Sequence, residues 1–138
     1  MEDCLFCKIA GGDIPAEIVY SDKYTVAFLD INPKSPGHTV VVPRRHSSTI
    51  IDLPESEVGP LFTAVKKVSQ RLFGALRADG LNLGVNQNQA GGQVVNHLHI
   101  HILPRFKNDG GTSVQGIVNN PPSEPVRVIA EKIRNYKG

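Results

Sequence analysis

Residues 97–103 read His-Leu-His-Ile-His-Ile-Leu, and this run restricts the fold more than any other stretch of the chain. In an extended strand, alternate side chains share a face. Period two then puts His97, His99 and His101 on one face. Leu98, Ile100 and Ile102 occupy the other, where they can enter a core. A helix would scatter the imidazoles around its axis. The run therefore predicts a strand over 97–103 with one apolar face and one face available for chemistry.

The rest of the chain supplies partners for that strand. Ile18-Val19-Tyr20, Tyr24 to Asp30 and Thr39 to Val42 are apolar, β-branched runs separated by Ser21-Asp22, Asn32-Pro33 and Pro36-Gly37. They predict neighbouring antiparallel strands with short connections. Leu61, Ala64, Val65, Val68, Leu72 and Leu76 recur at helical spacing, with Lys66, Lys67, Gln70 and Arg71 mostly opposite. This predicts one main helix, starting at Pro54 or Pro60 and stopped by Gly80. Leu81 to Val85 is a further strand, joined to the histidine strand by a Gly91-Gly92 loop and followed by Pro104 as its end. Residues 108–111 and 119–122 are loop, and Ser123 caps a short helix over 123–136. The expectation is a single α+β domain over 1–138, with a core of about 3–105, a C-terminal segment 106–138, and a five-stranded antiparallel sheet.

With 138 residues, 40% of them hydrophobic and 20% charged, the chain can bury a core without disulfides. A net charge of +2 gives no footprint for duplex nucleic acid or an anionic membrane. The acidic start Met1-Glu2-Asp3-Cys4 has no basic and apolar leader pattern, and Gly80 to Pro104, though uncharged, carries too many amides and histidines for a membrane span. The expectation is a cytoplasmic protein.

Three aligned imidazoles admit three readings. They could be polar decoration of an exposed sheet face. They could share a metal, but the outer two stand roughly 13 Å apart along a strand, too far for one ion with bonds of about 2 Å. Or a neutral imidazole could act as nucleophile or base near pH 7. The preceding loop favours catalysis on an anion. No Asp or Glu occurs from Gly80 to Asn108, while Asn86, Gln93 and the Gly91-Gly92 amides supply neutral donors. The same Asn/Gln/Gly stretch could also be an ordinary polar loop.

The chain resembles the histidine-triad (HIT) family, in particular its bacterial and archaeal Hint-like branch. The likeness rests on 97–103, on Cys4-Leu-Phe-Cys-Lys-Ile, on Phe28-Leu-Asp-Ile-Asn-Pro, on the segment from Pro36 to His46, and on Gly91-Gly-Gln. It implies a nucleotidyl hydrolase or transferase acting at the α-phosphate of purine nucleotide conjugates such as nucleoside phosphoramidates. His99 would be the nucleophile, forming a covalent nucleotidyl-histidine. His101 would donate a proton, and His38 would complete the relay. Asn86, Gly92, Gln93, Val94, His99 and His101 would hold the phosphate. Val94 stands where many eukaryotic members carry Ser, so only its backbone amide is offered there. Phe6, Ile9, Phe28, Asp30, Ile31 and Val40 would bind the nucleoside, with Asp30 gripping the ribose hydroxyls. Without the resemblance, Asp30 is equally a turn cap before Asn32-Pro33, and the apolar five are equally core. The family implies a homodimer whose sheets join. Alternatives are a dinucleoside polyphosphate hydrolase, a nucleotide-binding regulator with vestigial turnover, or a zinc hydrolase using the triad as ligands.

Cys4-x-x-Cys7 is a metal half-site, an inert pair or a redox motif. The resemblance implies a structural zinc ion held by Cys4, Cys7, His46 and His97, with no cofactor required for catalysis.

Overall fold

The computed structural model describes residues 3–138. Met1 and Glu2 of the acidic start lie outside the described residues.

Strand β3 (Thr39–Pro43) is central because its Thr-Val-Val-Val-Pro run tolerates burial on both faces. It pairs with β2 (Thr25–Leu29) on one side and β5 (Ile100–Arg105) on the other. β1 (Ile18–Ser21) lies outside β2, and β4 (Gly80–Val85) outside β5. Every pairing is antiparallel, so the order is β1-β2-β3-β5-β4, the five-stranded sheet expected.

Alternation sorts the sheet into two faces. Tyr20, Ala27, Val41, Ile100 and Ile102, joined by Leu98 just before β5, point inward. There they meet Leu61, Ala64, Val65, Val68 and Leu72 of the main helix, α2 (Glu55–Leu76). Pro54 immediately precedes α2 and Pro60 lies inside it. Gly80 does not stop the helix. Arg77 takes the left-handed conformation (φ 52°), and the amides of Arg77 and Ala78 both bond to the Phe73 carbonyl. Gly80 is instead claimed by its pairing with Arg105. Gly37 has φ +82°, a conformation that calls for glycine, and a Cβ there would run into the Leu76 side chain.

On the outer face Val26, Phe28, Val40 and Val42 pack with Phe6. Phe6 belongs to a short helix absent from the sequence reading, α1 (Leu5–Ala10), which is too brief to show periodicity. Cys4 caps it, its Sγ accepting the Cys7 amide at 3.3 Å. Arg44 anchors its far end through the Ala10 carbonyl at 2.8 Å.

Two strand bounds differ from expectation. Pro104 lies within β5, not at its end. Its carbonyl accepts from Ser35 Oγ at 2.6 Å, on the side where β3 has already stopped, so no ladder donor is needed there. And β5 begins at Ile100, not His97. Pro43 has no N–H with which to extend the β3–β5 ladder, and the Leu98 amide turns to the Ser47 carbonyl at 2.6 Å.

Beyond Arg105 the chain is mostly loop. Arg105 ties it down, bonding the Asp109 carboxylate at 2.8 and 2.9 Å, Asn82 Oδ1 at 2.6 Å and the Thr112 carbonyl at 2.5 Å. A 3-10 turn at Val114–Ile117 follows. The C-terminal helix α3 spans Val126–Arg134 behind Pro125, shorter than the 123–136 expected from Ser123. Among the described residues no helix is long and apolar enough to cross a membrane.

Candidate active site and metal cluster

The three histidines share the outer face although only His101 lies in β5. Each ring has a different partner, and each partner fixes a tautomer. His97 is fully buried, and its Nε2 lies 2.9 Å from the Pro43 carbonyl. A carbonyl only accepts, so Nε2 carries the proton and Nδ1 presents a lone pair. That lone pair faces sulfur, 3.2 Å from Cys4 Sγ and 3.3 Å from Cys7 Sγ. His46 Nδ1 lies 3.3 Å from Cys7 Sγ. The four ligand atoms all fall within 4.8 Å of one another.

The chemistry of this set fits a tetrahedral ion. Bonds of about 2.3 Å to sulfur and about 2.0–2.1 Å to nitrogen place S and N about 3.6 Å apart around such an ion, near the spacings seen. The Pro43 carbonyl supplies the outer hydrogen bond that orients a ligating imidazole. Without a cation, burial raises the Cys7 thiol to about 11, aided by the neighbouring Cys4 sulfur. Burial also lowers the His97 pKa.

His99 is turned the opposite way. Its Nδ1 donates to the His97 carbonyl at 2.7 Å, which leaves the lone pair of the neutral ring on Nε2. Phe6 meets the ring edge-on with centroids 5.0 Å apart, and the His101 ring centroid lies 4.9 Å away.

His101 ends a chain of donors. The Lys34 amide donates to His38 Nδ1 at 3.2 Å, so His38 carries its proton on Nε2. That proton is directed at His101 Nδ1, 2.9 Å away, which leaves His101 with its own N–H on Nε2. Asp30 Oδ2 lies 3.7 Å from His38 Nε2. Burial is the main cause of a lowered His38 pKa. Burial and then the neighbouring His99 and His38 push His101 down to about 4. Asp30, His38 and His101 also form a geometric cluster of possible ligands. With a proton already between the two facing ring nitrogens, however, it is a hydrogen-bonded relay. The triad does not converge on one ion, since each of its rings is engaged differently.

One cavity of about 660 Å³ runs along this face. It is lined by His38, His99 and His101, by Asn86, Gly92 and Val94, and by Phe6, Ile9, Phe28, Asp30, Ile31 and Val40. The sequence-predicted phosphate and nucleoside residues thus meet in one groove, Gln93 excepted. Gln93 does not line it. Its Oε1 accepts from the Asn88 amide, and its Nε2 donates to the Ser48 and Val95 carbonyls, so one polar atom closes the loop and the other also ties it to the segment at Ser48. Ile31 is 90% exposed, a rim residue and not a pocket floor. Asp30 does cap its turn, Oδ1 accepting the Asn32 amide at 2.8 Å, while Oδ2 remains beside His38. At Gly92 φ is +89°, a conformation that favours glycine, and the Asn86 side chain lies at van der Waals distance from where a Cβ would stand.

Other lining residues escaped the sequence reading. Asn82, Gly84 and Leu103 were legible in principle: Leu103 continues the alternation of His99 and His101, and Gly84 pairs with His101. Val114 and Ile117 enter from the C-terminal segment, which carries no periodicity to announce them.

A family model described as the HIT domain matches residues 11–108. An uncharacterized HIT-like protein of Methanocaldococcus jannaschii is 44% identical over 117 residues, 85% of this chain and 90% of that protein. An adenylylsulfatase of Arabidopsis thaliana is 40% identical over 107 residues, 78% of this chain and 54% of that protein. An adenosine 5'-monophosphoramidase of Schizosaccharomyces pombe is 34% identical over 131 residues, 94% of this chain and 95% of that protein. Among solved structures, a HIT-family protein of Bacillus subtilis superposes with a TM-score of 0.87 at 31% identity, over 99% of this chain and 98% of its own. A zinc-bound histidine-triad protein of Mycobacterium smegmatis gives 0.76 at 32% identity, over 88% and 85%.

Proposed function

The chain belongs to the HIT family, and from that premise we propose that it is a nucleotidyl hydrolase that cleaves purine nucleotide conjugates at the α-phosphate through a covalent His99 intermediate. The observation that carries this reading is the His99 Nδ1 bond to the His97 carbonyl, which leaves Nε2 unprotonated on a ring lining the groove. The phosphoramidase and adenylylsulfatase relatives support nucleoside 5'-phosphoryl conjugates as the substrate class.

The lone pair of Nε2 forms a bond to phosphorus, and the bond to the leaving atom breaks with its electron pair. The imidazolium thus formed keeps Nδ1–H on the His97 carbonyl, a bond that strengthens as charge develops. His101 offers Nε2–H to the leaving atom. Both protons of the His38–His101 pair are already placed, so the proton that departs is an additional one. It is taken up from water as the anionic phosphate raises the proton affinity of the imidazoles beside it. Water then attacks phosphorus, the N–P bond breaks, and the pair regains its proton. Asn86 and Gly92 hold the non-bridging oxygens, Asp30 takes the ribose, and Phe6, Phe28 and Val40 form the base pocket.

The Cys4, Cys7, His46 and His97 set would hold zinc. When bound there, the ion supplies four ligand bonds that close the fold and keeps no open position for substrate. The protein is read as a homodimer joined along the β4 edge, where the single chain leaves Leu83 half-exposed, as it leaves Phe62 and Phe73 of α2. Leu83→Glu should convert a dimer to a monomer in light scattering; a wild-type monomer at micromolar concentration would end that part of the reading.

The main test is mass spectrometry of protein quenched during turnover of adenosine 5'-phosphoramidate. An adenylyl adduct should map to His99 and be absent in His99→Ala, whose turnover should fall by about 10⁴-fold or more. Undiminished turnover in that variant would overturn the mechanism.

A further inference from the structure

His97 belongs to two networks at once. Its ring stands in the thiol cluster, and its carbonyl holds the ring of His99 at 2.7 Å. Helix α1 has the same double membership. Cys4 caps it and Cys7 lies within it. Between them Phe6 sets its ring against His99, with centroids 5.0 Å apart and planes at 80°. The nucleophile is therefore fixed by one hydrogen bond and one aromatic wall, each carried by a cluster ligand or by its neighbour within two positions.

We propose that the Cys4/Cys7/His46/His97 cluster is a positioning device for the nucleophile, acting on the His99 ring through the His97 carbonyl and through Phe6. This rests on the reading of His99 as nucleophile and of the cluster as a zinc site. It extends that reading by making the cluster matter to rate as well as to stability.

The physical case is one of angular freedom. The terminal torsion of a histidine is broad and roughly two-fold, so only its contacts choose a ring orientation. If His97 tilts, the acceptor for Nδ1–H moves with it and the attacking lone pair leaves its line to phosphorus. A misplacement of about 1 Å can cost about 10²-fold in rate. Phe6 supplies the second constraint. It is buried among Phe28, Val26, Val40 and Val42, and the ring-to-ring distance from Phe6 to Phe28 is 5.4 Å. Arg44 holds α1 at its opposite end, so loosening the cluster should free the Cys4 end of the helix without detaching it. A wall that served only the purine would affect nucleotide affinity; a positioning wall affects the chemical step.

The experiment compares zinc-loaded protein, chelator-stripped protein and Phe6→Leu, each with isotope-labelled histidine. Zinc content, the ring ¹⁵N signals of His99, AMP affinity and the single-turnover rate of adduct formation are read in all three. Phe6→Leu keeps every ligand, so it tests the wall in a fully loaded fold. Stripping should give mixed or broadened His99 tautomer signals and slow adduct formation about tenfold or more, with AMP affinity changed less than about threefold. Zinc should restore both. Phe6→Leu should shift the same ring signals and slow the chemical step more than it weakens AMP. If His99 signals and rate survive both treatments within about twofold, the inference is overturned, even where stripping lowers stability. Failure of the underlying reading looks different: absence of zinc binding refutes the metal assignment, and absence of an adduct refutes the nucleophile. Either takes this inference with it.

Discussion

The two ends of the histidine row present the same side chain in opposite roles. At His97 a carbonyl takes Nε2–H and the Nδ1 lone pair faces two sulfurs. At His101 a neighbouring imidazole donates to Nδ1, and Nε2–H is left for the groove. Burial lowers the pKa of both rings. What separates the proposed ligand from the proposed proton donor is therefore the partner of one nitrogen. At one end that partner is an acceptor on Pro43. At the other it is a donor whose own tautomer is set by the Lys34 amide. Between them, His99 takes its orientation from the backbone of the first. Identical residues four positions apart are differentiated by second contacts, not by their own chemistry.

The sharpest way to test that contrast is to remove one end at a time. His101→Gln keeps an amide donor but loses the imidazole. Adduct formation should slow by about 10²–10⁴-fold, while the unfolding midpoint and the zinc content stay those of wild type. Cys7→Ser should act in the reverse sense on stability. It removes a ligand and leaves the others unmatched, for a loss of about 2–4 kcal/mol in denaturant unfolding. A His101→Gln protein that loses zinc would break the contrast, as would a Cys7→Ser protein as stable as wild type.

These differences also explain how far sequence could go. Period two in 97–103 was enough to align three imidazoles against Leu98, Ile100 and Ile102, and the core facing α2 takes those three apolar residues, although His97 and His99 are buried too, on the opposite face. It overstated the ladder because the limit on β5 comes from Pro43, a residue distant in sequence whose missing N–H ends the pairing. The helical stripe from Leu61 to Leu72 was legible because all its members face one sheet. Its end was not, because Arg77 accepted a left-handed conformation that usually marks glycine. Gln93 reads as a phosphate donor by type and position, yet three backbone groups in its own neighbourhood claim its amide. Spacing says where a side chain can point; it does not say what else competes for its atoms.

Nucleotide binding should expose the donor end directly. In the free groove His101 titrates near 4, because burial disfavours its charged form. An anionic α-phosphate beside it favours that form, so AMP should raise the midpoint in a ring-resolved NMR titration. An unchanged midpoint with AMP bound would remove the extra proton from the proposed mechanism.

The smallest expected effect concerns acid stability. His38 and His101 both have pKa values below the ordinary 6.5 in the folded protein. Between those lowered values and 6.5 the unfolded chain binds more protons than the native one. Stability therefore rises with pH across this window, is fully present above 6.5, and drains away as pH falls toward 4. Zinc bound at the Cys4/Cys7/His46/His97 cluster would complicate a single curve, since protons compete for thiolates over an overlapping range. A difference removes that complication. His101→Gln retains all four cluster residues, so subtracting its unfolding free energy from that of wild type at pH 7, 5.5 and 4.5 isolates the His101 contribution. The wild type should lose more stability on acidification than the variant. Parallel curves would mean that His101 is as free to ionise in the fold as in the unfolded chain, and the distinction between the two ends of the row would then rest on the thiols alone.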